Sequence, residues 1–224
     1  MPESGAGAPR RALLVGATGL VGSFLLDRLL ASALYASVGA WVRHALPREH
    51  PKLRVEQIDF EHLGERRIET EDVYCCLGTT IRQAGSKDAF RRVDFDYPLA
   101  LARAAARDGA QRLLVISALG ADARSAVFYS RVKGEMEDAV RRAGVPRTYV
   151  YRPSLLDGPR REFRLGERLA LLAGNALSPL LLGKLARYRP IQADVVAAAL
   201  LAAASGDLPA GAYESEQIRA LAGG

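Results

Sequence analysis

Two cysteines, one tryptophan, three histidines and four lysines are all that this 224-residue chain holds of those types, and each scarcity removes a class of protein. The cysteines are neighbours, Cys75 and Cys76, which offers neither a disulfide framework nor metal-ligand spacing. His44, His50 and His62 form no cluster that would bind a metal, so no metal site is expected. A reducing, cytoplasmic setting is the simplest reading of so little cysteine. Residues 1–10 lack an apolar run and contain glycine and proline, so they read as a flexible lead-in and not as a signal peptide. No stretch reads as a membrane span either. The segment 169–185 is apolar in patches but is interrupted by Gly174, Asn175, Ser178, Pro179 and Gly183. With so few lysines, the formal charge of +6 is carried almost wholly by arginine. Those arginines are scattered and not interleaved with exposed aromatics, so neither nucleic acid nor a membrane is expected as a partner.

What remains is 49% hydrophobic and 25% charged, the composition of one globular domain with a full core. The stretch that organises it runs from Arg11 to Ser23. Arg11-Ala12-Leu13-Leu14-Val15 reads as a buried strand, and Gly16-Ala17-Thr18-Gly19-Leu20-Val21-Gly22 follows directly. Gly16 ends the strand at a sharp turn, Gly19 would let backbone approach a pyrophosphate, and Gly22 would let the next helix pack close to the sheet. Leu20, Phe24, Leu25, Leu29 and Leu30 then recur at helical spacing. The turn, including Thr18 and Val21, therefore sits at a helix N-terminus, whose free N–H groups and dipole attract phosphate. The expected architecture is α/β: a doubly wound parallel sheet over residues 11–224, with a substrate-side region at about 154–210.

Val38 to Arg43 reads as a second strand that ends in a cation. An acidic residue there would bind the ribose hydroxyls of NAD, whereas arginine suits the 2′-phosphate of NADP. Arg43 favours NADPH over NADH, with Arg48 a second candidate contact; a solvated surface arginine is the plain alternative. Leu53 to Asp59 alternates as a third strand, and Asp59-Phe60 leaves it beside an adenine pocket, where Asp59 would bind adenine or cap the next turn. Asp72 to Thr80 is a fourth strand that breaks at Gly78, placing Leu77, Gly78 and Thr79 along the cofactor ribose. Residues 81–86 suit a mobile loop, and Ala89 to Ala106 a long helix that Pro98 interrupts.

Gln111 to Ser117 is the clearest strand, an apolar run ending in a hydroxyl, and Tyr129-Ser130-Arg131-Val132-Lys133 comes twelve residues later. Tyr129 and Lys133, four apart, share one helix face. A phenol is a poor acid–base catalyst at neutral pH, and a nearby ammonium favours its ionised form. Ser117 would hydrogen-bond the substrate oxygen while Tyr129 gives or takes the proton. Arg147 to Pro153 is a sixth strand, with Arg152 and Pro153 at its end near the nicotinamide. A loop and two apolar helical pieces follow to Tyr188, where Arg160, Arg161 and Arg164 would meet an anionic substrate or simply solvent. A helix begins near Pro190, Ala212 to Glu214 adds a last strand, and the tail after Ile218 is expected to fray.

The glycine turn, Cys75 to Thr80, Arg92 to Tyr97, Ser117, the Tyr129/Lys133 pair and Tyr151-Arg152-Pro153 together resemble the atypical short-chain dehydrogenase/reductases. Within that superfamily the chain is most similar to the Tat-interacting-protein-like oxidoreductases, over nearly all of residues 11–214. The resemblance implies a Rossmann fold, NADP(H) and a role for Lys133 on the nicotinamide ribose hydroxyls. It also marks a departure: Asp94 stands where many members carry a relay asparagine. Two functions follow as expectations. One is NADP-dependent oxidoreduction of a carbonyl or alcohol by Ser117, Tyr129 and Lys133. The other is a non-catalytic NADP(H) sensor that binds a protein partner. A nucleotide-sugar epimerase would need a larger substrate region than about 70 residues. The long helices starting near Ala89 and Ser125 carry enough apolar surface for a homodimer, which periodicity does not separate from core.

Overall fold

A computed structural model describes residues 9–158, 187–206 and 208–223 of the chain. Residues 1–8 of the lead-in and the arginines at 160, 161 and 164 lie outside them, with most of the substrate-side region; Arg10 opens the first strand and does not belong to a flexible lead-in. Among the described residues nine strands form: β1 (Arg10–Val15), β2 (Tyr35–Val42), β3 (Leu53–Gln57), β4 (Asp72–Cys75), β5 (Arg112–Ile116), β6 (Arg147–Arg152), β7 (Leu156–Asp157), β8 (Ile191–Gln192) and β9 (Gly211–Glu214). Seven of them make one sheet in the order β3-β2-β1-β4-β5-β6-β9, and every pairing is parallel. The short β7 and β8 pair separately. The helices are α1 (Leu20–Ala31), α2 (Ile81–Ala84), α3 (Lys87–Arg91), α4 (Tyr97–Arg107), α5 (Phe128–Arg141), α6 (Ala193–Ser205) and α7 (Ser215–Ala222).

Strands covered on both faces read as unbroken apolar runs, and Ala12 to Val15 and Asp72 to Cys75 are buried throughout. Leu14, Tyr74 and Leu114 face a core shared with α1 and α6, while Leu13, Val73 and Leu113 face one shared with α4 and α5. Helix α1 buries Leu25, Leu26, Leu29 and Leu30 because it lies between the sheet and α6. Strand order reverses between β2-β1 and β4-β5, which opens a crevice above the carboxyl ends of β1 and β4.

Four local expectations change. The helix read from Ala89 is α3 and α4 joined through a π-helical turn at Arg92–Asp96. Pro98, in the first turn of α4, has no N–H and would press its ring on the carbonyl four residues back, that of Asp94, so the coil widens there. Residues 81–86 form the short helix α2, capped by the Thr80 hydroxyl and closed by Gly85 at φ 84°. Beyond Pro190, β8 precedes α6, and Asp194 lies in the first turn, 3.9 Å from Arg28. The tail does not fray at Ile218. It continues as α7 to Ala222, because Glu214 and Gln217 form a capping box and Ile218 is fully buried.

Candidate functional site

The glycine turn is built by close backbone approach. Gly16 adopts φ 96°, and a Cβ there would lie 2.6 Å from the Cys76 carbonyl oxygen; on Gly22 it would lie 2.0 Å from that of Gly16. No side chain caps α1 at Gly19, and its first turn carries no acid, so the free N–H groups of Leu20, Val21 and Gly22 are available to an anion. These features fit a pyrophosphate.

A cavity of about 520 Å³ extends from this turn along the ends of β1, β2 and β4. Gly16, Thr18 and Gly19 line it, as do Arg43 and Phe60 and then Leu77, Gly78 and Thr79. This brings eight of the expected cofactor residues to one wall. Trp41, His44, Gln83, Arg92, Val93 and Tyr97 line it too, and none of these is given a cofactor contact from sequence. The signal that would have found the last three is Pro98, whose demand for a widened turn fixes how this segment faces the sheet. Arg43 lies over the Phe60 ring, 5.9 Å from its centroid. Arg92 and Tyr97 both reach Glu61, at 3.4 and 2.6 Å. Among the described residues no acidic side chain lines the cavity, whereas Arg43, His44 and Arg92 do.

Other expected contacts lie elsewhere. Arg48 is paired with Asp27 of α1 and does not line the cavity. Asp59 does cap the next turn, its Oδ1 accepting the Glu61 N–H at 3.0 Å, and it also lines a second cavity of about 660 Å³ together with Arg43, Phe60 and Tyr97. Arg152 gives its guanidinium to Glu137, with Nη2 2.6 Å from Oε2, and the Pro153 carbonyl accepts the Leu119 N–H at 2.9 Å. Neither lines the cavity. The Ser117 hydroxyl donates to Glu137 Oε1 at 2.6 Å. Glu137 is 1% exposed and is also held by Arg141 at 3.0 Å, so this hydroxyl is occupied inside the protein.

Tyr129 and Lys133 do come together, one turn apart on α5. The Tyr129 ring packs at 5.4 Å on Phe90, which is fully buried. Lys133 is also buried, with its Nζ 2.7 Å from Asp94 Oδ1. Burial alone would drive this ammonium towards its neutral form; the charge of Asp94, and then Tyr129, outweighs burial and holds its pKa above the ordinary lysine value. Gly78 stands directly over the pair, since a Cβ there would lie 3.8 Å from Lys133 Nζ. Lys133 does not itself line the cavity; it lies next to Gly78, which does. Burial pushes the Cys75 thiol up to about 11 and raises Cys76 further, which leaves both as thiols and not as nucleophiles.

Comparison with known proteins agrees with this layout. The profile of the NAD(P)H-binding family matches residues 16–180. Protein HTATIP2 of Rattus norvegicus is 39% identical over 163 residues, which is 70% of this chain and 67% of its own length. The mitochondrial protein fmp52 of Emericella nidulans is 30% identical over 222 residues, 94% of each chain. Among solved structures, MoeE5 in complex with UDP-glucuronic acid and NAD has a TM-score of 0.69 at 19% identity, covering 90% of this chain and 74% of its own. The UDP-glucose 4-epimerase of Thermotoga maritima has a TM-score of 0.65 at 17% identity, covering 95% and 82%. At those identities the structural likeness shows the fold alone. With the glycine cradle, the strand order and the matched profile in agreement, the chain belongs to the NAD(P)H-binding family, as a Rossmann protein of the atypical short-chain dehydrogenase/reductase kind.

Proposed function

We propose that the protein is an oxidoreductase that prefers NADPH to NADH and acts on a carbonyl or alcohol. The observation that carries this is the placement of Tyr129 and buried Lys133 on one face of α5, with Lys133 directly beneath Gly78 of the cavity wall. The turn from Gly16 to Gly22 would hold the pyrophosphate, Leu77 to Thr79 would run along the ribose, and Lys133 would bind its hydroxyls. When bound, the dinucleotide supplies or accepts the hydride. Tyr129 exchanges the proton at the substrate oxygen, with its ring held against Phe90.

The preference for NADPH rests on charge. A 2′-phosphate would enter a cavity lined by Arg43, His44 and Arg92 and, among the described residues, by no carboxylate. Charge-assisted hydrogen bonds of this kind contribute about 1.5–3 kcal/mol each, or roughly 10- to 100-fold in affinity. Trp41, the single tryptophan, lies in the same wall and reports on binding. Titrations of NADPH and NADH followed by tryptophan quenching are expected to show that preference in the wild type and its loss in Arg43→Ala. Equal affinities in the wild type would overturn it.

One observation supports a second reading, a non-catalytic NADP(H) sensor that presents a surface to a protein partner: the Ser117 hydroxyl is engaged by Glu137. If that engagement persists during turnover, Ser117→Ala lowers kcat by less than about ten-fold, below the usual contribution of a positioned acid–base group. A loss of about 100-fold or more would show that the hydroxyl turns to the substrate.

A further inference from the structure

The proposed reaction uses none of the buried carboxylates Asp72, Asp94 and Glu137. Asp94 is fully buried and lies in the π-helical turn at Arg92–Asp96. We infer that Asp94 is a positioning residue: its carboxylate ties the crevice loop to Lys133, so that the floor of the cofactor cavity and the lysine keep one fixed arrangement. Oδ2 accepts the Thr79 main-chain N–H at 2.9 Å. Oδ1 lies 2.7 Å from Lys133 Nζ, off the line of a directed hydrogen bond, so that contact is chiefly charge on charge. Gly78 lies beside this contact, where a Cβ would lie 3.5 Å from Oδ1 and 3.8 Å from Nζ.

Both partners of this carboxylate are donors. An asparagine has one acceptor oxygen and would turn its NH₂ towards either the Thr79 N–H or the ammonium, leaving donor against donor in a dry site. Asp94 is therefore not an interchangeable form of a relay asparagine; it bridges two donors that an amide cannot serve together. It also supplies the counter-charge that a buried ammonium requires. The titratable groups facing Lys133 are Asp94 from the π-helical turn, Tyr129 from its own helix and Cys75 from β4, and Asp94 is the one carboxylate among them.

The catalytic meaning of this tie rests on Tyr129 and Lys133 being the reacting pair, but its test needs no substrate and no turnover. The chain has four lysines, so the full-length protein labelled with ¹³C-lysine gives four side-chain signals to follow by NMR between pH 7 and 11. Lys133 is identified by the signal missing from Lys133→Arg. In the wild type, the Lys133 midpoint is expected above the ordinary lysine value, held there by the Asp94 carboxylate 2.7 Å away. In Asp94→Asn its midpoint falls by about two pH units, the other three stay in place, and the Thr79 amide exchanges with solvent at least about ten-fold faster. A Lys133 midpoint that Asp94→Asn does not move would overturn the inference. If that variant does not fold, the wild type decides: a Thr79 amide exchanging like an exposed one, or a Lys133 midpoint not above the ordinary lysine value, overturns it equally. Should Lys133 shift as expected while Tyr129→Phe retains full turnover, the tie stands and the assigned reaction falls.

Discussion

Tyr129→Phe is expected to lower substrate-dependent NADPH oxidation by roughly 10²- to 10⁴-fold, the usual contribution of a positioned acid–base group, while NADPH still quenches Trp41 as in the wild type. The substitution removes a single oxygen. The ring keeps its packing at 5.4 Å on Phe90, the Lys133 to Asp94 contact involves other atoms, and the cavity wall contains no atom of residue 129. Binding and chemistry should therefore separate cleanly. The measurement is a carbonyl-substrate screen at saturating NADPH, with the variant run beside the wild type. Oxidation that survives in Tyr129→Phe would assign the proton transfer to another group. A wild type that binds NADPH tightly and oxidises it with no substrate tested would favour the sensor.

A large loss of stability is expected from Gly134→Ala, although helix propensity alone predicts the opposite. Gly134 lies inside α5, where alanine is better by about 1 kcal/mol. A Cβ at this position would lie 2.1 Å from the Ala123 nitrogen and 2.3 Å from the Asp122 carbonyl carbon. Those are main-chain atoms, and the Asp122 N–H is bonded to the Ser130 carbonyl at 3.0 Å, so the loop after β5 has little room to retreat. Overpacking of this severity costs about 3 kcal/mol, which exceeds the propensity gain and leaves a net loss of about 2 kcal/mol. For a chain of this size the Tm falls by about 4–8 °C, readable by circular dichroism. A Tm that holds or rises would show that residues 121–123 move aside freely. Because Gly134 follows Lys133 directly, turnover is expected to fall with stability.

Those two residues mark what was legible in the sequence. Tyr129 and Lys133 stand four apart, and any helix through them brings both to one face; only the existence of the helix had to be right. Gly134, read alone, is merely a weak helix residue. The reason for it is a loop that begins more than ten residues earlier, and nothing local announces how closely that loop will pass.

The same division runs through the site. Arg43 could be placed because it follows directly on β2, and Gly16, Gly19 and Gly22 because the turn they make is local to β1 and α1. Arg48, five residues beyond Arg43, was equally eligible by charge, but its guanidinium is paired with Asp27. Ser117 ends β5 as expected, yet its hydroxyl is taken by Glu137, two turns past Tyr129 on α5. The sequence by itself determined the parallel sheet, the phosphate turn and the order of the catalytic layout, since periodicity and glycine conformation act over a few neighbouring residues. Only the tertiary structure decided which donor meets which acceptor: Ser117 with Glu137, Asp94 with both Thr79 and Lys133, and Arg92 and Tyr97 with Glu61 at the cavity wall. A buried polar group takes whichever partner packing brings within about 3 Å, and that choice is made between elements far apart in the chain.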